Sequence, residues 1–132
     1  MSIDLLTAYY AAFNAHDSAG MLALLSDDVV HEPCQGRPRM GIEAFTDFLA
    51  HMDDCYSEQV IDPQLFVSDD GARGAAEFML EGAYLKTDGD LPVAKGQTYR
   101  LRVGTFFAFS GDRIARVTNH YNLQDWLEQV SA

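Results

Sequence analysis

The sequence predicts an α+β fold, with helices packed against one face of a mostly antiparallel sheet. Three observations carry this. Before Tyr56, apolar residues recur at helical spacing, at Ile3, Leu6, Tyr10 and Phe13 and again at Ile42, Phe45, Phe48, Leu49 and Met52. From Tyr56 onward the pattern is that of long strands punctuated by turns. The cleanest strand lies between Gln97 and Phe109: Tyr99, Leu101, Val103, Thr105, Phe107 and Phe109 share one face, and Arg100, Arg102, Gly104, Phe106 and Ala108 the other. A strongly bent sheet closed by helices on one side makes a cone, whose interior the helices do not fill completely. The apolar face with its single hydroxyl, Thr105, is therefore expected to be the floor of a ligand pocket.

The elements follow in order. Residues 3 to 15 form a helix broken by Asn14-Ala15-His16-Asp17. Asp17 caps a short second helix, Ser18 to Leu25, by accepting from free backbone N–H groups. A strand runs from Val29 to Gln35, interrupted by Pro33, which cannot donate to a ladder and so marks an edge or an end. Gly36 to Met40 is a loop, and Ile42 to Met52 a third helix. Strands follow at Glu58 to Ser68, where Pro63 suggests a bulge or edge, and at Arg73 to Lys86, joined by the turn Asp69-Asp70-Gly71. Thr87 to Gly96 is a polar loop suited to cover a pocket mouth. Two strands joined at Ser110-Gly111-Asp112 lead to Asn122, which caps a tail helix with Leu123, Trp126, Leu127 and Val130 in one stripe.

The 132 residues make one domain, spanning 1–132. A net charge of −11 repels phosphate backbones and anionic lipid, which argues against nucleic acid and membrane surfaces as partners. No apolar run approaches the roughly 20 residues of a membrane span. The N-terminal MSIDLLTAYY lacks a basic region and a continuous apolar run, so a cytoplasmic location is expected, with Cys34 and Cys55 reduced.

Certain residues resemble a known family. Tyr9-Tyr10-Ala11-Ala12-Phe13-Asn14-Ala15-His16-Asp17, Ala23-Leu24-Leu25-Ser26-Asp27-Asp28, Gly36 and Arg39-Met40-Gly41 are similar to the N-terminal half of ketosteroid isomerases. Asp112-Arg113-Ile114, Asn119-His120-Tyr121-Asn122 and Trp126-Leu127 look more like SnoaL-like polyketide cyclases and ketosteroid isomerase-related proteins. All share the cone-shaped nuclear transport factor 2-like fold. The resemblance implies a strongly curved sheet, three N-terminal helices on its concave face and a short C-terminal helix. In the isomerases an Asp base moves a proton next to a carbonyl, while a Tyr and a protonated Asp hold the enolate oxygen. Matched position by position, the oxyanion tyrosine falls on Tyr9, the base on Pro33 and the protonated aspartate on Thr105. Neither Pro33 nor Thr105 can do the chemistry of an aspartate. The resemblance thus implies a pocket, and not by itself a steroid isomerase.

Other residues are candidates for the missing chemistry. His31 sits two positions before Pro33 on the same strand face, roughly 6–7 Å along, with Gln35 on that face too. A histidine in an apolar cone can take or give a proton, or simply be hydrogen-bonded in the wall. Glu32 points away from His31. On the last strand two arrangements are open. A three-residue loop at Ser110 to Asp112 places Val117, Asn119 and Tyr121 beside Thr105; a two-residue turn places Thr118 and His120 there. The resemblance favours Asn119 and Tyr121, and in the cyclases the catalytic acid falls on Asn119. The four histidines lie in different elements without metal-ligand spacing, so no metal site is expected.

The expectation is a small apolar-ligand-binding protein, acting without metal or organic cofactor by proton transfer next to a carbonyl. His31 serves as base or acid, Tyr9 as oxyanion donor, and Asn119, Tyr121 and Thr105 orient the substrate. Gln35, Phe48, Phe78, Leu80, Tyr84, Val103, Phe107 and Val117 shape the pocket. The rival is a non-catalytic binding or accessory module of the same fold. The opposite sheet face carries Glu77, Met79 and Glu81 beside Arg100 and Arg102, with Phe106 and Met79 as apolar anchors, and a homodimer is expected to form through it.

Overall fold

The computed structural model describes residues 1–131; Ala132, the last residue of the expected domain, lies outside them. The chain runs α1 (Ser2–Asn14), α2 (Ser18–Leu22), β1 (Leu25–Glu32), β2 (Arg39–Met40), α3 (Ile42–Cys55), β3 (Tyr56–Val67), β4 (Arg73–Tyr84), β5 (Gln97–Ser110), β6 (Arg113–His120) and α4 (Leu123–Ser131). The six strands form one sheet in the order β2-β1-β6-β5-β4-β3. All pairs are antiparallel except β1 with β6. The expected α+β cone is the fold found, with helices over the concave face. Among the described residues, no helix is long and apolar enough to cross a membrane.

Local chemistry explains the boundaries. The Asp17 side chain accepts from Gly20 N at 2.9 Å and caps α2. That helix stops at Leu22, short of the expected Leu25, because Leu25 is drawn into β1 opposite Ile114. β1 ends at Glu32, before the expected Gln35, since Pro33 has no N–H to give the ladder. The expected loop at Gly36 to Met40 contains instead the two-residue strand β2, where Val30 pairs Met40 and His31 pairs Arg39. On β3 the register shifts between Ile61 and Gln64, next to Pro63, and Asp62 takes a φ of 51°. The Asn122 side chain accepts from Asp125 N at 3.1 Å at the start of α4.

The β5–β6 hairpin combines the two arrangements left open by the sequence. Ser110 pairs Arg113, so the connection is a two-residue turn, Gly111-Asp112. Yet Phe109 pairs Ile114 and Ala108 pairs Arg116, leaving Ala115 as an extra residue. That bulge slips the ladder by one and sets Val117 beside Phe107 and Asn119 beside Thr105. The inner-face residues are those expected from the longer loop, reached by another route.

The narrow end of the cone is solid. Leu6, Tyr9, Tyr10, Val29, Phe107, Ile114 and Val117 are buried there. Tyr10 stands edge-on to Phe78 with ring centres 5.2 Å apart, and Tyr9 to Phe107 at 5.7 Å. At the wide end Trp126 of α4 meets Tyr84 at 5.2 Å and Tyr99 at 6.0 Å. The Asn14 side chain clamps the edge strand β3 to α1, and Gln59 Nε2 also donates to Asn14 O at 3.1 Å. Asn14 Nδ2 donates to Val60 O at 2.9 Å, and Val60 N donates to Asn14 Oδ1 at 2.8 Å. Replacing Asn14 by Ala strands both groups of an edge residue. The expected cost is about 1–3 kcal/mol in urea unfolding with the fold retained; an unchanged midpoint removes this clamp from the account.

Candidate functional site

Between the solid end and α4 lies a cavity of about 540 Å³. Its wall is largely apolar, with Phe13, Phe48, Leu49, Phe78, Leu80, Leu101, Val103 and Trp126 among its residues. This volume and character suit a small organic ligand.

Of the residues expected at the site, Gln35, Phe48, Phe78, Leu80, Val103, Asn119 and Tyr121 line this cavity. His31, Tyr9, Thr105, Tyr84, Phe107 and Val117 point to the expected inner face but stand behind the wall, all buried. Their side chains are covered by neighbours that reach the space first. The expectation that His31 and Tyr9 share the ligand surface is therefore corrected by the packing. His31 is sandwiched by Phe45 and Phe48, with ring centres at 4.5 and 4.4 Å. Its Nδ1 is buried without a partner. Burial first, then the nearby Arg39 cation, lowers its pKa to about 4. It is a neutral wall histidine at neutral pH. Burial, aided by the neighbouring Tyr10, pushes the Tyr9 phenol far above its ordinary value. Glu32, as expected, turns to the outer face, where it accepts from Thr118 Oγ1 at 2.6 Å.

Thr105 acts through Asn119. Its hydroxyl donates to Asn119 Oδ1 at 2.9 Å, which leaves the amide Nδ2 of Asn119 as the donor available to a ligand. Tyr10 Oη lies beside Thr105 yet meets no partner at hydrogen-bonding geometry. Tyr121, on the wall after β6, has its phenol raised to about 12, chiefly by burial and further by Cys34, Glu58 and Asp88. It is a hydrogen-bond donor throughout the neutral range.

Two groups on the wall were missed by the sequence reading. The first is Glu58 on β3. It faces inward with Tyr56 and Val60, pairs Gly82 on β4, and Gly82 pairs Tyr99 on β5. Gly82 has no side chain, so the Tyr99 ring lies across it; a Cβ there would sit 2.5 Å from Tyr99 Oη. Tyr99 Oη donates to Glu58 Oε2 at 2.5 Å across the intervening strand. Burial raises the Glu58 pKa above its ordinary value, and the Tyr99 bond opposes this. The period-two phase of Tyr56, Glu58 and Val60 was the signal, hidden by starting the strand two residues late. The second is a mouth cluster: His51 Nε2 lies 2.9 Å from Asp88 Oδ1, and Tyr56 Oη donates to Asp88 Oδ2 at 2.7 Å. Asp88 belongs to the 85–96 loop, whose backbone is pinned by Tyr84: Asp88 N donates to Tyr84 Oη at 3.0 Å, and Tyr84 Oη to Pro92 O at 2.7 Å. Tyr84 shapes the mouth from behind.

An inward-facing sheet, a half-filled cone and polar groups on a mostly apolar wall define an α+β fold with a cavity. The SnoaL-like domain family matches residues 6–117, and the chain belongs to that family. Solved structures similar to it include a protein of Pseudomonas putida KT2440, provisionally named a polyketide cyclase. It is 50% identical, with 98% of each chain covered and a TM-score of 0.97. A protein of Xanthomonas campestris pv. campestris, named in the same provisional way, is 46% identical over 98% of this chain and 96% of that one, with a TM-score of 0.95. A nuclear transport factor 2-like protein of Burkholderia pseudomallei K96243 shares the fold at 17% identity, covering 99% and 98% of the two chains with a TM-score of 0.82. No curated protein matches the chain.

The state of His31 has a measurable consequence. An unfolded chain takes up a proton at the ordinary 6.5, the folded chain only near 4. Its contribution to stability is therefore whole above pH 6.5 and drains away as pH falls towards 4, by about 3 kcal/mol in all. Glu58, with its raised pKa, works in the opposite direction. Denaturant unfolding of wild type and His31→Phe across this window isolates the His31 part. The variant is expected to lose less stability on acidification; parallel curves would show that His31 does not titrate as described.

Proposed function

We propose that this chain binds an apolar, carbonyl-bearing small molecule in the cone and moves a proton next to the carbonyl, in an isomerisation or cyclisation that needs no organic cofactor. The observation that carries this reading is Glu58, a largely buried carboxyl with a raised pKa on the mostly apolar cavity wall. With no ion pair to a cation, such a group is costly to structure, and its raised pKa suits it to proton exchange above the ordinary carboxylate range.

The steps follow from the geometry. Glu58 as carboxylate takes the proton from the carbon beside the ligand carbonyl, and the C–H electron pair moves to form the enolate. Tyr99 keeps the carboxylate oriented through its bond to Oε2. Asn119 Nδ2, with Oδ1 held by Thr105, and the neutral Tyr121 hydroxyl donate to the enolate oxygen. Glu58, now protonated, returns the proton to another carbon, or the enolate carbon attacks a second carbonyl in the same molecule and the proton goes to the new alkoxide. The similarity to proteins provisionally named polyketide cyclases supports a substrate of the polyketide kind. His31 and Tyr9, behind the wall, hold the shape of this pocket rather than touch the ligand.

The test starts from a thermal-shift screen of apolar ketones and polyketide-like compounds, followed by deuterium exchange at the carbon beside the carbonyl of any binder. Glu58→Gln is expected to keep binding and slow exchange by about 10²–10⁴-fold. The rate should rise with pH along a limb whose midpoint lies above the ordinary carboxylate value of 4.5. Full exchange in Glu58→Gln removes Glu58 from the chemistry. Tight binding with no exchange in wild type supports instead the non-catalytic binding module.

We also propose that two copies pair through the outer sheet face. Phe106 is half exposed there, flanked by the Arg102–Glu77 and Arg100–Glu81 ion pairs at 2.8 and 3.1 Å. Sedimentation is expected to give a dimer for wild type and a monomer for Phe106→Glu; a wild-type monomer at micromolar concentration ends this proposal.

A further inference from the structure

We propose that His51, Cys55 and Asp88 form a binding site for a zinc-class divalent cation at the cavity mouth, joining α3 to the 85–96 loop. Their ligand atoms all lie within 4.8 Å of one another. The donor set is one imidazole, one thiol and one carboxylate, the mixture that borderline-soft divalent cations take in four-coordinate sites.

The fold supplies the pieces from two directions. His51 and Cys55 are four residues apart on α3, so they stand one above the other on one helix face. Asp88 arrives from the loop, and the loop begins on the helix end itself: Leu85 N and Lys86 N donate to Cys55 O at 2.8 and 3.3 Å. Asp88 is oriented before any ion comes. Its second oxygen accepts from Tyr56 Oη at 2.7 Å, and its N–H is held by Tyr84 Oη at 3.0 Å. Such outer partners fix a ligating carboxylate. Ligand atoms in a tetrahedral site with these bond lengths stand about 3.2–3.8 Å apart. The 2.9 Å from His51 Nε2 to Asp88 Oδ1 must open slightly, and Cys55 Sγ, within 4.8 Å of both, has at most about 1 Å to close. Binding takes the proton bridging His51 Nε2 and Asp88 off that nitrogen, so that the neutral ring carries its proton on Nδ1, and releases the Cys55 thiol proton to solvent, leaving a thiolate–metal bond. His51 and Asp88 line the cavity while Cys55 is buried. The fourth position therefore opens towards the cavity side, to water or a ligand oxygen. No short motif announces the site, because Asp88 is 33 residues beyond Cys55, and only the docking of the loop brings them together.

This inference stands independently of the proposed reaction, and its test uses the metal alone. The chelator-stripped full chain, kept reduced without thiols, is titrated with Co²⁺. One equivalent is expected to bind with a near-ultraviolet thiolate-to-cobalt band and the visible bands of a four-coordinate ion. Zn²⁺ should displace it and raise Tm, since the ion fastens loop to helix. His51→Ala and Asp88→Asn should each weaken Zn²⁺ binding by about tenfold or more, and Cys55→Ser should abolish the thiolate band. Cys55 is buried, and should Cys55→Ser fail to fold, the two variants at the more exposed positions still decide. The proposal is overturned by a wild type with no thiolate band and no Zn²⁺-dependent rise in Tm. It is equally overturned by a band that survives undiminished in both His51→Ala and Asp88→Asn, which would place the ion on another thiol such as Cys34.

Discussion

One unpaired residue, Ala115, decides what the cavity contains. The tight Gly111-Asp112 turn alone would continue the β5–β6 ladder with Thr118 and His120 on the inner face. The bulge moves the ladder on by one, so that Val117, Asn119 and Tyr121 take that face instead. The effect spreads beyond the hairpin. β1 docks in parallel on β6 with His31 opposite Val117, so the same slip places His31 among the inner aromatics and Glu32 outside beside Thr118. Asn119 meets Thr105 for the same reason. Without the bulge a cationic-capable His120 and a Thr would face the ligand, and the neutral donors proposed to hold an enolate would face solvent.

This also shows what a sequence can and cannot convey about such a site. Period-two alternation identifies a face, and the inner-face assignments Tyr99, Leu101, Val103, Thr105 and Phe107 on β5 are all buried, with Phe109 at the strand end partly so. It carries no information on depth along the cone. Phe107, Thr105 and Val103 are alike in phase, but only Val103 reaches the cavity, because α1 lays Tyr9 and Tyr10 over the deeper positions. His31 is hidden in the same way by Phe45 and Phe48 from α3. Depth is set by which helix residue arrives from the other layer, a property of packing between segments distant in sequence. The mouth cluster was illegible for a related reason: His51 and Asp88 are 37 residues apart and meet only through loop docking.

Glu58 shows the opposite case, in which a local rule is broken and a distant residue repairs it. A carboxyl on the inner face of a sheet, with no cation bonded to it, is expensive unless hydrogen-bonded. The repair spans three strands. Gly82 gives up its side chain, and with it local strand preference, so that the Tyr99 ring can cross and reach Glu58. Conflicts between local preference and global fold that are resolved this specifically tend to mark functional positions. The pairing also leaves the second carboxyl oxygen of Glu58, a cavity-wall residue, uncommitted to Tyr99.

The position of Glu58 bears on how this family can vary its chemistry on one scaffold. The base that the isomerase resemblance places at the end of β1 is here Pro33, a cavity-wall residue without acid–base capacity. Glu58 approaches the same space from β3, at the far edge of the sheet order from β1. A cone built from long strands offers inward positions on each of them, so the proton-transfer group can change strand while the cavity is kept. The stabilising donors need not move with it. An enolate in this cavity, whose wall already carries Glu58, Asp17, Asp53 and Asp88, gains little from the general field of a chain with net charge −11. Besides Arg39, which also lines that wall, short-range neutral donors then have to act, and Asn119 backed by Thr105, with Tyr121 kept protonated by burial, are the donors that the bulge at Ala115 delivers.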